Sequence, residues 1–409
     1  MNTEKKLIPL LRFPKFVRDT EWACTTLRAE MDYENGVAHE NDIDSLGKYI
    51  VVNSKFISTE GQIEKRTNNA HCLAKEDDIL MVLSDLPNGK AIAKCFYVDA
   101  SNKYTVNQRI CKLRSKGANS KLLYYILNRN PYFLSFDDGV KQTNLKKDEV
   151  LSCPLIIPKS IEEQQKIAEC LSSIDSYISS INEKVEQLKA HKTSLLQKLF
   201  PQRGQTIPEY RFSEFQKDSA WEKMKLGDVT TVINRRNKSN RSLPIYSISN
   251  KDGFVLQSEQ FDGLDSESRG YDISLYKIVG RNTFAYNPAR INIGSIGYSS
   301  NLKEVLISSL YVCFKTTDEL DDEFLQCFLK TAEFNQAVEN NVEGGIRSYL
   351  FYEHFSRIRI ALPSLQEQKK IATTILSIDD VISKYTNKVS LLNDYKKGLM
   401  QQLFPTITK

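Results

Sequence analysis

Side chains able to carry out a reaction are few in this chain of 409 residues, and none is spaced for one. The four histidines, His39, His71, His191 and His354, are not paired at metal-ligand spacing, which speaks against zinc-type ligation and against imidazole acid–base catalysis. The eight cysteines, at positions 24, 72, 95, 111, 153, 170, 313 and 327, never fall as C-x-x-C and are diluted over the whole length. That pattern fits neither a zinc ribbon nor a disulfide framework, and it points to the reducing cytoplasm. Gly47-Lys48 and Gly89-Lys90 lack the upstream glycine and the following serine or threonine of a phosphate loop, so ATP binding is not encoded there.

What remains is the chemistry of recognition. Arg235, Arg236, Asn237, Lys238 and Arg241 form a run of cations and an amide between β-prone stretches. Such side chains suit phosphates and purine edges, with arginine reading guanine and asparagine reading adenine, although a solvated loop has the same composition. Tyr286, Asn287, Arg290, Asn292 and Ser295 set an aromatic, two amides and an arginine beside Gly294, where a backbone could approach a ligand closely. The first half holds weaker candidates of the same type in Lys65, Arg66, Lys90, Arg109, Lys112, Arg114 and Lys141. Arg347 stands in the second half where Lys141 stands in the first. Asn130-Pro131-Tyr132-Phe133 is similar to the N-P-P-Y/F motif of amino-methyltransferases but lacks its second proline, and no glycine-rich cofactor loop precedes it. The formal net charge of +5 is compatible with nucleic acid without requiring it, and no segment is a basic tail.

The elements that must position these residues come in two copies. Residues 163–201 and 367–405 match without gaps at 19 of 39 positions. Upstream, Pro9, Arg12, Phe13, Phe16, Asp19, Trp22 and Leu27 correspond to Pro208, Arg211, Phe212, Phe215, Asp218, Trp221 and Leu226. The chain is therefore a duplication of one unit. In the repeated segments apolar residues recur in a 4-3-4-3 rhythm: Ile167, Leu171, Ile174, Ile178, Val185 and Leu188 in the first copy, and Ile371, Ile378, Ile382, Val389 and Leu392 in the second. That is the seam of a coiled coil, broken once in each copy, by Lys192 and by Lys396. Ser160 with Glu163, and Ser364 with Glu367, have capping-box spacing, while Pro201 and Pro405 forbid continuation. Each helix then spans roughly 60 Å at about 1.5 Å per residue. Its natural partner is its twin, and a two-fold relation between the halves makes the pair antiparallel. In that register Lys192 falls near Asp379 and Lys396 near Asp175; the plain alternative is that both amines extend to water.

The expected architecture is α+β. Two tandem globular regions of mixed helix and strand, 1–158 and 205–362, are separated by long helices within 159–204 and 363–409 that form an intramolecular antiparallel coiled coil. Strands are expected in Lys48 to Ile57, Ala91 to Val98, Arg109 to Leu113, Leu243 to Ser249, Lys277 to Tyr286 and Val305 to Phe314. Helices are expected at Ser120 to Leu127 and Asp322 to Phe334, and turns at Pro87-Asn88-Gly89 and Lys251-Asp252-Gly253. The globular regions align weakly, with Asp78-Ile79-Leu80-Met81 opposite Thr283-Phe284-Ala285-Tyr286. No run of 18 apolar residues occurs, so neither an export signal nor a membrane span is expected.

Taken together, these features resemble the specificity subunit of type I restriction–modification systems. The resemblance covers nearly the whole chain. It is carried by Leu11 to Trp22, echoed in Tyr210 to Trp221, by the helix entries Pro158 to Ala168 and Pro363 to Ala372, and by the endings L-L-Q-K-L-F-P and L-M-Q-Q-L-F-P. Phe284-Ala285-Tyr286-Asn287 with Gly294-Ser295-Ile296-Gly297 adds to it, whereas the first region has Met81-Val82-Leu83-Ser84-Asp85 in place of an A-Y-N-like stretch. The resemblance implies two target-recognition domains, each reading one half of a split, asymmetric double-stranded DNA target. It implies helices that dock two methyltransferase (modification) subunits, with restriction/translocase subunits joining the full complex. It also implies no catalytic site and no cofactor in this chain, S-adenosylmethionine and ATP being held by the partners of a DNA adenine methyltransferase and restriction endonuclease. The helix length would then set the spacer between half-sites, one B-DNA turn being roughly 34 Å. Two other readings differ in what they predict. A coiled-coil adapter would leave target choice intact when Arg235 or Arg290 is changed, and a standalone enzyme would methylate or cleave DNA unaided.

Overall fold

The computed structural model describes residues 7–86, 89–341 and 349–405. The chain is α+β and falls into two compact units, one formed by residues 1–181 and 388–409, the other by residues 182–387. Each long helix thus belongs to both units, the early part of one helix sharing a unit with the late part of the other.

In the first unit, Ala23–Thr26 pairs antiparallel with Pro154–Ile157, closing the globular region at its base. Above lies a four-stranded sheet ordered Met31–Asn35, Ile110–Ser115, Ile79–Val82, Cys95–Tyr97. Beside it, Tyr49–Val52 pairs antiparallel with Lys65–Thr67 and parallel with Tyr104–Val106. The strand Ile79–Val82 is buried along its whole length, since alternate residues enter two different apolar clusters. Helix Ser120–Leu127 starts where the Asn119 side chain accepts the Leu122 amide, and it buries Leu122, Leu123, Tyr125 and Leu127.

The second unit repeats this plan. Glu222–Lys225 pairs with Arg359–Leu362 at the base. The main sheet runs Thr230–Ile233, Val312–Thr316, Phe284–Tyr286, Ile296–Tyr298, and Ile245–Ser249 pairs antiparallel with Gly253–Leu256 and parallel with Val305–Ile307. Phe284–Tyr286 holds the place of Ile79–Val82, as the weak alignment expected. Two regions whose sequences barely align therefore share the strand order of the main sheet, while Lys277–Val279 adds to the second unit's other sheet a fourth strand that the first unit's three-stranded sheet lacks.

Four runs break differently from expectation. Asn53 ends the strand within Lys48 to Ile57, because its side chain accepts the Phe56 amide and starts helix Ser54–Ser58. Lys277 to Tyr286 and Val305 to Phe314 each contribute one strand to each of the unit's two four-stranded sheets, Lys277–Val279 and Val305–Ile307 to the sheet of Ile245–Ser249, Phe284–Tyr286 and Val312–Thr316 to the main sheet. Thr331 divides the helix expected from Asp322 to Phe334 by donating to the Phe328 carbonyl and accepting the Phe334 amide, which leaves Asp322–Phe328 and Ala332–Asn341. The expected turn at Pro87-Asn88 lies outside the described residues.

The long helices run Ile161–Leu199 and Leu365–Leu403, each stopping two residues before its proline. Within each unit the helix pair is antiparallel. In the first, Asp175 meets Lys396 at 2.5 Å and Tyr177 meets Lys388 at 2.5 Å. In the second, Lys184 lies 4.8 Å over the Tyr385 ring and Lys192 meets Asp379 at 2.5 Å. Ile167, Leu171, Val185 and Ile371 are buried, whereas Ile174, Ile178, Leu188, Ile378, Ile382, Val389 and Leu392 are half-buried. Among the described residues no helix is long and apolar enough to cross a membrane.

Candidate nucleic-acid interface

Each unit is assembled around the glutamate and glutamine that open its long helix. Arg12 grips Glu163 with Nε and Nη2, both at 2.7 Å, and donates from Nη1 to the Asp19 carbonyl at 3.0 Å. Arg211 repeats the fork on Glu367 at 2.8 and 2.7 Å and donates to the Asp218 carbonyl at 2.9 Å. The hydrogen bond each guanidinium donates to its carboxylate raises its pKa, against the opposing effect of burial. These forks revise the capping boxes. Ser160 and Ser364 do accept the glutamate amides, at 3.4 and 3.3 Å, but the carboxylates turn to arginine instead of reaching back along the chain. The neighbouring glutamines hold the helix of each globular region. Gln164 accepts the Asn119 amide at 2.7 Å and Gln368 accepts the Asp321 amide at 2.9 Å, each at the cap of Ser120–Leu127 or Asp322–Phe328.

On this scaffold several expected DNA contacts serve the fold instead. Tyr286 is fully buried among Phe314 and Phe355, and burial drives its hydroxyl far above the ordinary phenol range. Its strand is buried on both faces, so the ring is not offered to a base. Ser295 is buried and donates to the Ile248 carbonyl at 2.9 Å. Asn237 is buried and braces its own loop, accepting the Arg241 amide at 2.9 Å and donating to the Arg241 carbonyl at 3.0 Å. Asn287 is half-buried and turns the chain by accepting the Ala289 amide at 3.0 Å. In the first unit Lys112 is buried, donating to the Leu73 carbonyl at 3.1 Å and meeting Glu34 at 2.7 Å. Arg114 forks onto the wholly buried Asp78 at 2.7 and 2.7 Å, so its guanidinium is taken up by a partly buried ion pair. Asn130 caps the short helix Pro131–Leu134 by accepting the Tyr132 amide at 2.9 Å, a structural use of the motif.

Other candidates are exposed. Lys65, Lys90, Arg109 and Lys141 face solvent in the first unit, as do Arg236, Lys238, Arg290 and Asn292 in the second. Arg66 pairs with Glu64 at 2.9 Å. Arg235 and Arg241 both pair with Glu304, the second at 2.7 Å, and those hydrogen bonds, Arg241 first, hold the Glu304 carboxyl below the usual carboxylate range. Arg347 lies outside the described residues.

The second unit also carries a polar groove of about 690 Å³. Its walls come from the turn at Asn250 to Gly253, the Asn292 to Tyr298 stretch, and Gln326, Lys330 and Asn335 on or beside the two helices. Of these, the sequence points to contacts only at Asn292 and its neighbours, and Lys251-Asp252-Gly253 reads there as a turn. In the first unit a cavity of about 480 Å³ lies between Tyr97, Lys121 and the start of the long helix, with the Lys121 amine 3.9 Å over the Tyr97 ring. Burial lowers the pKa of that amine. Among the described residues no group of three or more His, Cys, Asp or Glu is placed to hold a metal.

The family model described as the type I restriction modification DNA specificity domain matches residues 32–190 and again 218–391. The chain is 25% identical over 357 residues to the type I restriction enzyme MjaVIII specificity subunit of Methanocaldococcus jannaschii, covering 83% of this chain and 80% of that protein. In fold it is similar to the S subunit of a type I restriction–modification system from M. genitalium, with a TM-score of 0.62 at 17% identity over 98% of this chain and 100% of that one. A chain from a structure concerned with complex assembly and conformational transition of the type I restriction–modification system matches with a TM-score of 0.52 at 14% identity, over 93% of this chain and 96% of that one.

Proposed function

The chain belongs to the type I restriction–modification DNA specificity family, and from that premise we propose that it reads a bipartite, asymmetric DNA target, one half through each globular region. The observation that carries this reading is the pairing of a constant scaffold with divergent surfaces. Both units repeat the arginine–glutamate fork, the glutamine cap contact and the strand order of the main sheet. Their exposed candidate contacts differ, being Lys65, Lys90, Arg109 and Lys141 in the first unit and Arg236, Lys238, Arg290 and Asn292 in the second. Two different readers on a repeated frame call for two different half-sites, unlike the palindrome of a homodimer.

In this reading the long helices dock two methyltransferase subunits, and restriction/translocase subunits join the complete enzyme in the cytoplasm. The partners hold S-adenosylmethionine and ATP, and this chain supplies no catalytic group. Exposed cations such as Arg236 and Lys238 position the complex on phosphates.

The test is long-read mapping of modified adenines in DNA from cells that express this chain with its methyltransferase subunit, against the methyltransferase alone. A split, asymmetric motif that requires the chain is the expected result. A stable complex without a new motif would favour a coiled-coil adapter.

A further inference from the structure

We propose that the groove of the second unit, and not the arginine-rich loop at 235–241, chooses the bases of one half-site, with Asn250, Asn292, Gln326 and Asn335 as amide readers and Lys251 and Lys330 as cationic ones. This rests on the reading of the chain as a DNA specificity subunit and assigns the residues that carry the choice.

The argument starts from how the second unit uses its amides. Asn237 and Asn287 brace their own loops, Gln257 binds Ser247 and Ser266 in the interior, and Gln368 fixes the helix cap. The four amides of the groove differ. None of their side chains hydrogen-bonds within the described residues, and Asn250, Asn292 and Asn335 are exposed. They reach one concavity from separate stretches of chain, so their convergence is a property of the fold and not of a local polar run.

Each amide presents a donor and an acceptor side by side, the pattern that pairs with adenine N6 and N7 in the major groove, whereas an ammonium suits guanine O6 and N7. The Lys251 amine has no partner among the described residues, and the Lys330 amine has only a loose one, Asp379 at 3.8 Å. Glycines keep the wall low. A Cβ on Gly297 would meet the Gly253 Cα at 2.9 Å, and Gly294 holds a φ of +85°. The loop at 235–241 has the opposite character. Of its two amides Asn237 is buried and only Asn240 reaches solvent, and two of its three arginines are already partnered by Glu304, which leaves the exposed Arg236 and Lys238 for sequence-independent phosphate contact.

The experiment compares three chains, each expressed with the methyltransferase subunit and mapped for methylated adenines: wild type, Asn292→Ala/Gln326→Ala, and Arg236→Ala/Lys238→Ala. If the wild type yields no split motif, the specificity reading itself fails, whatever the groove does. Given a split motif, the groove variant should relax one or more positions in one half only, discrimination there falling on the order of ten- to a hundredfold. The loop variant should lower methylation at all sites together and keep the motif. An unchanged motif in the groove variant overturns the proposal, as does relaxation in both halves. Loss of methylation with the methyltransferase no longer bound also overturns it, since the groove would then be a subunit contact. Lys251→Ala, on an exposed turn, is the second groove variant; if the double variant does not fold, its motif decides by the same criteria.

Discussion

Lys192 donates to both carboxylate oxygens of Asp379, at 2.5 and 2.6 Å, from the position where the apolar rhythm of the first long helix lapses. Lys396 meets Asp175 at the equivalent break in the second helix, at 2.5 Å. The Lys192 side chain is only 15% exposed, so removing its partner leaves an amine poorly solvated in the seam. Asp379→Ala should cost roughly 1–2 kcal/mol, less than a fully buried pair because the carboxylate is about a third exposed. Lys192→Met/Asp379→Leu should recover most of that loss. Urea unfolding decides between this and a solvated lysine, for which the single and double variants would be equally mild.

The fork between Arg211 and Glu367 is more deeply buried, with side chains 8% and 1% exposed. Glu367→Gln should therefore cost about 3 kcal/mol, the arginine being left with a neutral partner. Arg211→Lys keeps the charge but cannot reach both carboxylate oxygens and the Asp218 carbonyl, and it should still destabilise. Because the fork ties the opening segment to the helix, both variants should also expose Lys217 to trypsin before global unfolding. Unaltered protection at Lys217 would mean the segment is held by packing of Trp221 alone.

The two tryptophans of the repeated opening give a matched comparison. Trp22 donates from Nε1 to Glu163 at 3.2 Å, whereas the buried Trp221 Nε1 has no hydrogen-bond partner among the described residues. Phenylalanine removes similar apolar contact at both sites but breaks a hydrogen bond at one. Trp22→Phe should cost about 1 kcal/mol more than Trp221→Phe, measured as the difference in unfolding free energy. Equal costs would show that the bond to Glu163 adds nothing to a carboxylate already gripped by Arg12.

The duplication, the long helices, their antiparallel register and the family were legible from sequence because each rests on periodicity or on gapless self-similarity. Lys192 and Asp379 are 187 positions apart, yet two-fold symmetry of the repeat was enough to pair them. The recognition surface was less legible, for a physical reason. Tyr286 to Ser295 read as one polar string, but Tyr286 lies on a strand covered on both faces, and only the turn beyond it reaches solvent. Lys112 and Glu34 are cross-strand neighbours, a relation that exists only once the register is known. The groove draws Lys251, Asn292 and Gln326 from stretches that no local window contains.

Glu304 bears on how tightly the second unit binds DNA of any sequence. Its carboxylate neutralises Arg235 and Arg241 across more than sixty residues of chain, though a surface pair of this kind adds little stability. Because those arginines hold its carboxyl below the ordinary value, the interaction is complete above about pH 4.3, the usual carboxylate midpoint, and is lost as pH falls through the depressed folded value. At neutral pH both guanidiniums therefore remain partnered unless a phosphate displaces the glutamate. Glu304→Gln should raise affinity for non-specific duplex on the order of tenfold at low salt and steepen the slope of log affinity against log salt by up to about 1.8 for two added phosphate contacts. The methylated motif should stay the same, since phosphate contacts carry no base choice. Fluorescence anisotropy across a salt series with the assembled complex measures both quantities. Unchanged affinity together with a lower melting temperature would assign Glu304 to bracing the loop, and the stability difference between variant and wild type should then vanish below the depressed carboxyl value.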